Sequence, residues 1–116
     1  MSLHLFAGLR VRDFQAARAW YERLLGEPTF FPHATEAVWT VAENRSVYIV
    51  EHADGAGNSV VTILLDDLDA HVAASAARGL EPDENLTYSN GVRKAVYCDP
   101  DGNEVGFGGA PLDTGS

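Results

Sequence analysis

The feature that most constrains this chain is a repeat. Asp13 and Asp67 stand 54 residues apart, Gly26 and Gly79 stand 53 apart, and Pro28 and Pro82 again 54. Each trio punctuates a helix in the same way: an N-cap (Asp67 or its neighbour Asp66 in the second half), a glycine stop, and a proline that forbids continuation. Between cap and stop, apolar residues recur at helical spacing: Ala16, Ala17, Trp20 and Leu24 in one half, Leu68, Val72, Ala76 and Leu80 in the other. A strand precedes each cap, over residues 3–11 and 60–65, and short β-prone runs follow each proline. In the first half those runs are residues 29–32, 37–41 and 46–51. One such half cannot bury both faces of its own small sheet, so the two must pair. The pattern predicts an α+β chain: two βαβββ modules forming a concave eight-stranded mixed sheet with two helices. With 116 residues there is room for one domain, residues 1–116. Module one spans about 3–52 and module two about 59–110, joined by a linker over 53–58 that holds Asp54, Gly55, Gly57 and Asn58.

The end of module two carries the sharpest local signal. Asp99-Pro100-Asp101-Gly102 is a tight turn in which Pro100 presets φ and Gly102 takes the left-handed conformation. β-prone runs flank it at residues 92–97 and 104–107, which predicts a hairpin.

Charge narrows the function classes. Seventeen Asp and Glu against 8 Lys and Arg give a net charge of −9, which argues against nucleic acid and against anionic membranes. No run approaches the roughly 20 apolar residues of a membrane span, so the reading is a soluble, cytoplasmic protein. The single cysteine, Cys98, excludes an internal disulfide and is expected to pack as a small buried hydrophobe. His33 and His71 read as a loop residue and an exposed helix residue, and Arg93-Lys94 as a solvated strand edge.

Three motifs taken together carry a resemblance. Arg10-Val11-Arg12-Asp13, Trp20-Tyr21-Glu22-Arg23-Leu24-Leu25-Gly26 and Asp99-Pro100-Asp101-Gly102-Asn103 resemble the vicinal-oxygen-chelate superfamily. That superfamily includes glyoxalase I, extradiol dioxygenases, fosfomycin-resistance enzymes and bleomycin-resistance proteins. The motifs are scaffold pieces, so they speak for the fold more than for an activity.

The resemblance also implies where a metal would be held. Its ligand positions fall here on Phe6, on Val60 (Val61 if the register slips by one) and on Gly106; the last strand of module one offers Glu51. Phe, Val and Gly supply no side-chain donor, and one carboxylate cannot hold a metal tightly. The expected cofactor is therefore none. A displaced set of His4, Glu51 and Glu104 would be the only substitute.

By strand parity the cup should present Phe6, Gly8, Arg10, Val47, Ile49 and Glu51 from module one, with Val60, Thr62 and Leu64 from module two. Trp39 and Tyr48 should line its walls, and Gly106 should enlarge its floor. The ligand-binding set is thus Phe6, Trp39, Tyr48, Ile49, Glu51, Val60, Thr62 and Gly106.

Three functions fit these residues. The favoured one resembles bleomycin-resistance proteins: metal-free sequestration of a small molecule, a cationic antibiotic or metabolite given the acidic charge. The others are a metal-dependent glyoxalase- or dioxygenase-type enzyme using Glu51 with displaced ligands, and a metal-free enzyme with Glu51 as acid or base. A homodimer is expected, since an exposed sheet edge leaves apolar surface to cover.

Overall fold

Both helices begin where the repeat places them. In the computed structural model, which describes residues 3–110, Asp13 caps helix α1 (Phe14–Leu25) by accepting from the Ala16 amide at 3.2 Å. Asp67 caps α2 (Leu68–Ala77) by accepting from Ala70 at 3.0 Å. Gly26 and Gly79, at φ of 88° and 90°, lie in the left-handed region that ends helices cheaply only for glycine. No helix among the described residues is long and apolar enough to cross a membrane.

Module one contributes β1 (Leu5–Val11), β2 (Phe30–His33), β3 (Glu36–Ala42) and β4 (Arg45–Glu51). Module two contributes β5 (Val60–Leu65), β6 (Glu84–Thr87), β7 (Arg93–Cys98) and β8 (Glu104–Gly109). The α+β class and the two βαβββ modules are those the repeat predicts. The eight strands divide into two four-stranded sheets, ordered β1-β4-β3-β2 and β5-β8-β7-β6. Each is mixed, with β1 parallel to β4, β5 parallel to β8, and antiparallel pairs elsewhere. The modules meet through their helix sides instead of through a strand ladder, which leaves β1 and β5 as sheet edges.

One apolar core spans both modules. Leu9, Val11, Trp39, Val47 and Ile49 from the first sheet pack with Tyr21 and Leu24 of α1, and with Tyr97, Val105 and Phe107 from the second sheet. Tyr97 lies edge-on to Phe107 and its hydroxyl is 2.8 Å from the Ser75 hydroxyl, so its buried oxygen is satisfied.

The joint between modules explains the two scaffold motifs. The Asp99 carboxylate, 5% exposed, accepts from the Tyr21 hydroxyl (2.9 Å), the amides of Asp101 (2.9 Å) and Asn103 (2.8 Å), and the Asn103 side chain (2.8 Å). Asn103 Nδ2 also donates to the Arg10 carbonyl, and Asp101 accepts from the Arg12 amide. Burial, and then the Asp99 charge, push the Tyr21 phenol far above its ordinary range, so it stays a donor. On the other side of the joint Arg78 donates to the carbonyls of Arg23 and Leu24, partners that α1 lacks at its own end.

Candidate functional site

Residues paired across a sheet share a face, so register decides which side chains can meet a ligand. In module one Phe6 pairs with Ser46, Gly8 with Tyr48 and Arg10 with Val50. These lie on the face away from the helices. Val47, Ile49 and Glu51 pair with Ala7, Leu9 and Val11 on the helix side, and Trp39 pairs with Val47 there. The expected set therefore splits. Phe6 and Tyr48 face outward, whereas Ile49 and Trp39, at 0% and 2% exposed, are core residues. The Trp39 indole is further tied down by donating to the Gly26 carbonyl at 2.8 Å.

Glu51 also leaves the cup. It sits two residues past Ile49 on the helix-side face of β4, which brings Oε1 to 3.0 Å from the Phe14 amide. There it satisfies a donor of the first turn of α1 and meets the positive end of the helix dipole. An acid–base role in the cup does not fit this position.

In module two Thr62 pairs with Gly106, Leu64 with Gly108 and Val60 with Glu104. Val60, Thr62 and Gly106 thus share the outward face. The space over Gly106 is already filled, however. A Cβ built there would lie 2.5 Å from Cε of Lys94, whose chain crosses the glycine on that face. Tyr48 covers Gly8 in the same way: a Cβ at Gly8 would overlap its ring. Each glycine makes room for a long neighbour, and neither opens an empty floor.

The outward face of module one forms an aromatic shelf. His4 stacks on Phe6 with centroids 4.3 Å apart and planes 10° from parallel, and Phe6 meets the Tyr48 ring edge-on at 6.4 Å. His4 is fixed at its other end by a 3.0 Å hydrogen bond between Nε2 and the Ser46 hydroxyl. Phe6 remains 49% exposed, so the shelf is open to a ring laid against it.

The residues do not assemble a metal centre. His4 is engaged with Ser46, Glu51 with the Phe14 amide, and Glu104 lies near Lys94. Among the described residues no three His, Cys, Asp or Glu side chains come together as ligands. The donor set implied by the resemblance does not fit: Phe6, Val60 and Gly106 offer no lone pair.

Two further side chains differ from expectation. Cys98 is exposed on the outward face of β7 and does not pack as a buried hydrophobe. Partial desolvation, and then the carboxylates of Asp83, Glu104, Asp99 and Glu84, hold its thiol above the ordinary value, which suppresses the thiolate. His71 is half-buried, its ring stacked on Phe107 at 3.9 Å, in a cleft of about 290 Å³ between the modules that Trp39 and Glu27 also line. Its Nε2 is buried without a hydrogen-bond partner among the described residues.

That packing makes stability depend on pH. Burial, then the charge of Arg78, lower the His71 pKa below the ordinary 6.5. Between the depressed value and 6.5 the unfolded chain binds the proton and the folded chain does not. The contribution to stability is full above about pH 6.5 and is lost as pH falls below it. Urea midpoints measured from pH 8 to pH 5 should fall on the acid side, and His71→Gln should flatten that fall. An unchanged slope in the variant would refute the assignment.

The comparisons with known proteins bear on this geometry. A family model described as "Glyoxalase/Bleomycin resistance protein/Dioxygenase superfamily" matches residues 2–107. The chain belongs to that superfamily. Among solved structures, a glyoxalase / bleomycin resistance protein from Catenulispora acidiphila DSM 44928 is 54% identical, with a TM-score of 0.91 over 95% of this chain and 100% of its own. A bleomycin-binding protein complexed with bleomycin is 20% identical at a TM-score of 0.74, covering 94% of this chain and 99% of its own. TnmS3, an antibiotic binding protein from Streptomyces sp. CB03234, is 24% identical at 0.68, covering 97% and 98%. The last two likenesses show a shared fold. No curated protein matches the sequence.

Register was the signal missed in the sequence. Counting back from the Asp99-Gly102 turn pairs Cys98 with Glu104 and so puts Lys94 opposite Gly108, on the same face as Gly106. Lys94 therefore lies over Gly106 on an interior strand of its sheet, and is not part of a solvated edge.

Proposed function

We propose that this protein binds and sequesters a small, planar, ring-bearing molecule without a metal. The observation that carries the reading is the open shelf of His4, Phe6 and Tyr48 on the outward face of module one. Stacked and edge-on ring contacts of this kind are worth about 0.5–1.5 kcal/mol each beyond the area they bury. The likeness to antibiotic-binding structures supports a role in antibiotic resistance. Binding without a metal is supported by donor-free side chains at Phe6, Val60 and Gly106. A cationic ligand loses its proposed anchor, because Glu51 is engaged at the start of α1. The reading keeps a cytoplasmic setting, where a lone exposed thiol such as Cys98 stays reduced.

The reading includes a homodimer. β1 and β5 are sheet edges, and they carry Leu5, Phe6, Val60 and Leu64 at 59%, 49%, 65% and 80% exposed. An apolar groove of about 330 Å³, lined by Leu5, Ala7, Val47, Val61 and Ile63, runs between the two edges. A second copy related by a two-fold axis would set its β5 beside this β1 and its β1 beside this β5. Each shelf would then face Val60, Thr62 and Gly106 of the other copy, closing the cup.

The test uses 2-naphthol, a neutral two-ring probe, followed by thermal shift and calorimetric titration at pH 7. A bound probe raises the melting temperature by mass action. Phe6→Ala and Tyr48→Ala should each weaken binding about tenfold, given the ring contacts and buried area removed. Binding that neither substitution changes would place the site elsewhere.

A further inference from the structure

We infer that Lys94 makes the module-two wall of the cup a receptor for an anionic oxygen, so that the ligand is a ring bearing a carboxylate or an acidic hydroxyl. This rests on the ring-binding and two-copy readings above and names the charge of their ligand.

The first observation is position. Lys94 projects from β7 on the outward face, and its chain crosses Gly106, with Cε 2.5 Å and Nζ 3.3 Å from where a Cβ would stand. Any side chain at Gly106 would push it away. The glycine thus lets an ammonium lie flat over the centre of this face, beside Thr62, which pairs with Gly106.

The second observation is an unmet need. The Lys94 side chain is 21% exposed, so its aliphatic stem is largely covered and its ammonium is held in place over the face. An ammonium has three donors. Among the described residues its one charge partner is Glu104, with Nζ and Oε2 4.0 Å apart, too far for a hydrogen bond. Among the described residues no other acceptor is within bonding distance of it. An ammonium held in place with its donors open to a ligand is met better by an oxyanion than by a neutral group.

The net charge of −9 opposes this at long range. Screening decides the issue, because the Debye length is about 8 Å at physiological salt. Within the cup the near charges are what a ligand meets. There Lys94 stands over the floor, and among the described residues its only close counter-charge is the long pairing with Glu104.

Two probes with the same ring and opposite charge test the inference: 2-naphthoate and 2-naphthylmethylammonium, titrated at pH 7 in 150 mM salt. Wild-type protein should prefer the carboxylate by tenfold or more, the worth of one charge-assisted hydrogen bond. Lys94→Met, which keeps the aliphatic stem, should erase that preference, read as the ratio of the two charged probes' affinities in the same variant. Glu104→Gln removes the competing carboxylate and should tighten naphthoate several-fold. This effect has the opposite sign, so a destabilised variant cannot imitate it. A wild-type preference for the ammonium probe, or naphthoate binding indifferent to Lys94→Met, overturns the assignment of charge while the ring site stands. Failure of all three probes to bind, or binding that Phe6→Ala does not touch, overturns the ring-binding reading and the inference with it.

Discussion

Asp99→Ala should cost the fold about 3–5 kcal/mol, the usual range for breaking a buried, fully bonded charge network. The carboxylate is 5% exposed and accepts four donors, from the Tyr21 hydroxyl, the Asp101 and Asn103 amides and the Asn103 side chain. Each donor left buried without a partner costs about 1–3 kcal/mol, and water entering the small space recovers part of that sum. Tyr21→Phe removes one donor and its hydroxyl together, so it should cost only about 1 kcal/mol. Asp99→Asn is no rescue, because its amide would turn hydrogens toward groups that already donate. Urea unfolding with an unchanged denaturant slope measures all three variants. A loss below about 1.5 kcal/mol for Asp99→Ala would mean that the joint is held by apolar packing alone.

That network also shows what a sequence can and cannot disclose. The turn at Asp99 to Gly102 is legible because φ constraints are local: Pro100 and Gly102 announce it, and Gly102 has φ of 87°. Its larger role is not legible, since the hydroxyl that completes it belongs to Tyr21, 78 residues away. Helix caps at Asp13 and Asp67 are readable for the same local reason. β4 is apolar on both faces, with Tyr48 and Val50 on one and Val47 and Ile49 on the other, so alternation gives no clue to which face is covered. The error at Glu51 and Ile49 follows from that ambiguity. β6, with the sequence Glu84-Asn85-Leu86-Thr87, has almost no apolar signal and exists because β7 offers it an edge. Gly106 invited the inference of empty space. A glycine is as often the footprint of a neighbouring side chain, here Lys94.

On the proposed dimer, Leu64→Glu should convert the protein from two copies to one at micromolar concentration. Leu64 is 80% exposed in the single chain, on edge strand β5 and across Gly108, so the substitution removes little packing within one copy. Circular dichroism and the urea midpoint of the monomer should therefore stay near those expected of the isolated chain. Between copies the case is different. A glutamate here would stand on the outward face of the seam, beside the exposed ring of the other copy's Phe6, and would lose hydration to apolar neighbours. Stranding a charge this way costs several kcal/mol, enough to raise a dissociation constant more than a hundredfold. Leu64→Lys should act alike if desolvation is the cause, and salt should not restore the dimer. Because the shelf on one copy and the wall around Lys94 on the other make one cup, the same variants should lose 2-naphthol binding although neither touches Phe6 or Tyr48. Light scattering that finds wild-type protein monomeric at micromolar concentration would end the dimer proposal. A monomeric Leu64→Glu that still binds the probe with wild-type affinity would show that one copy alone holds the ring.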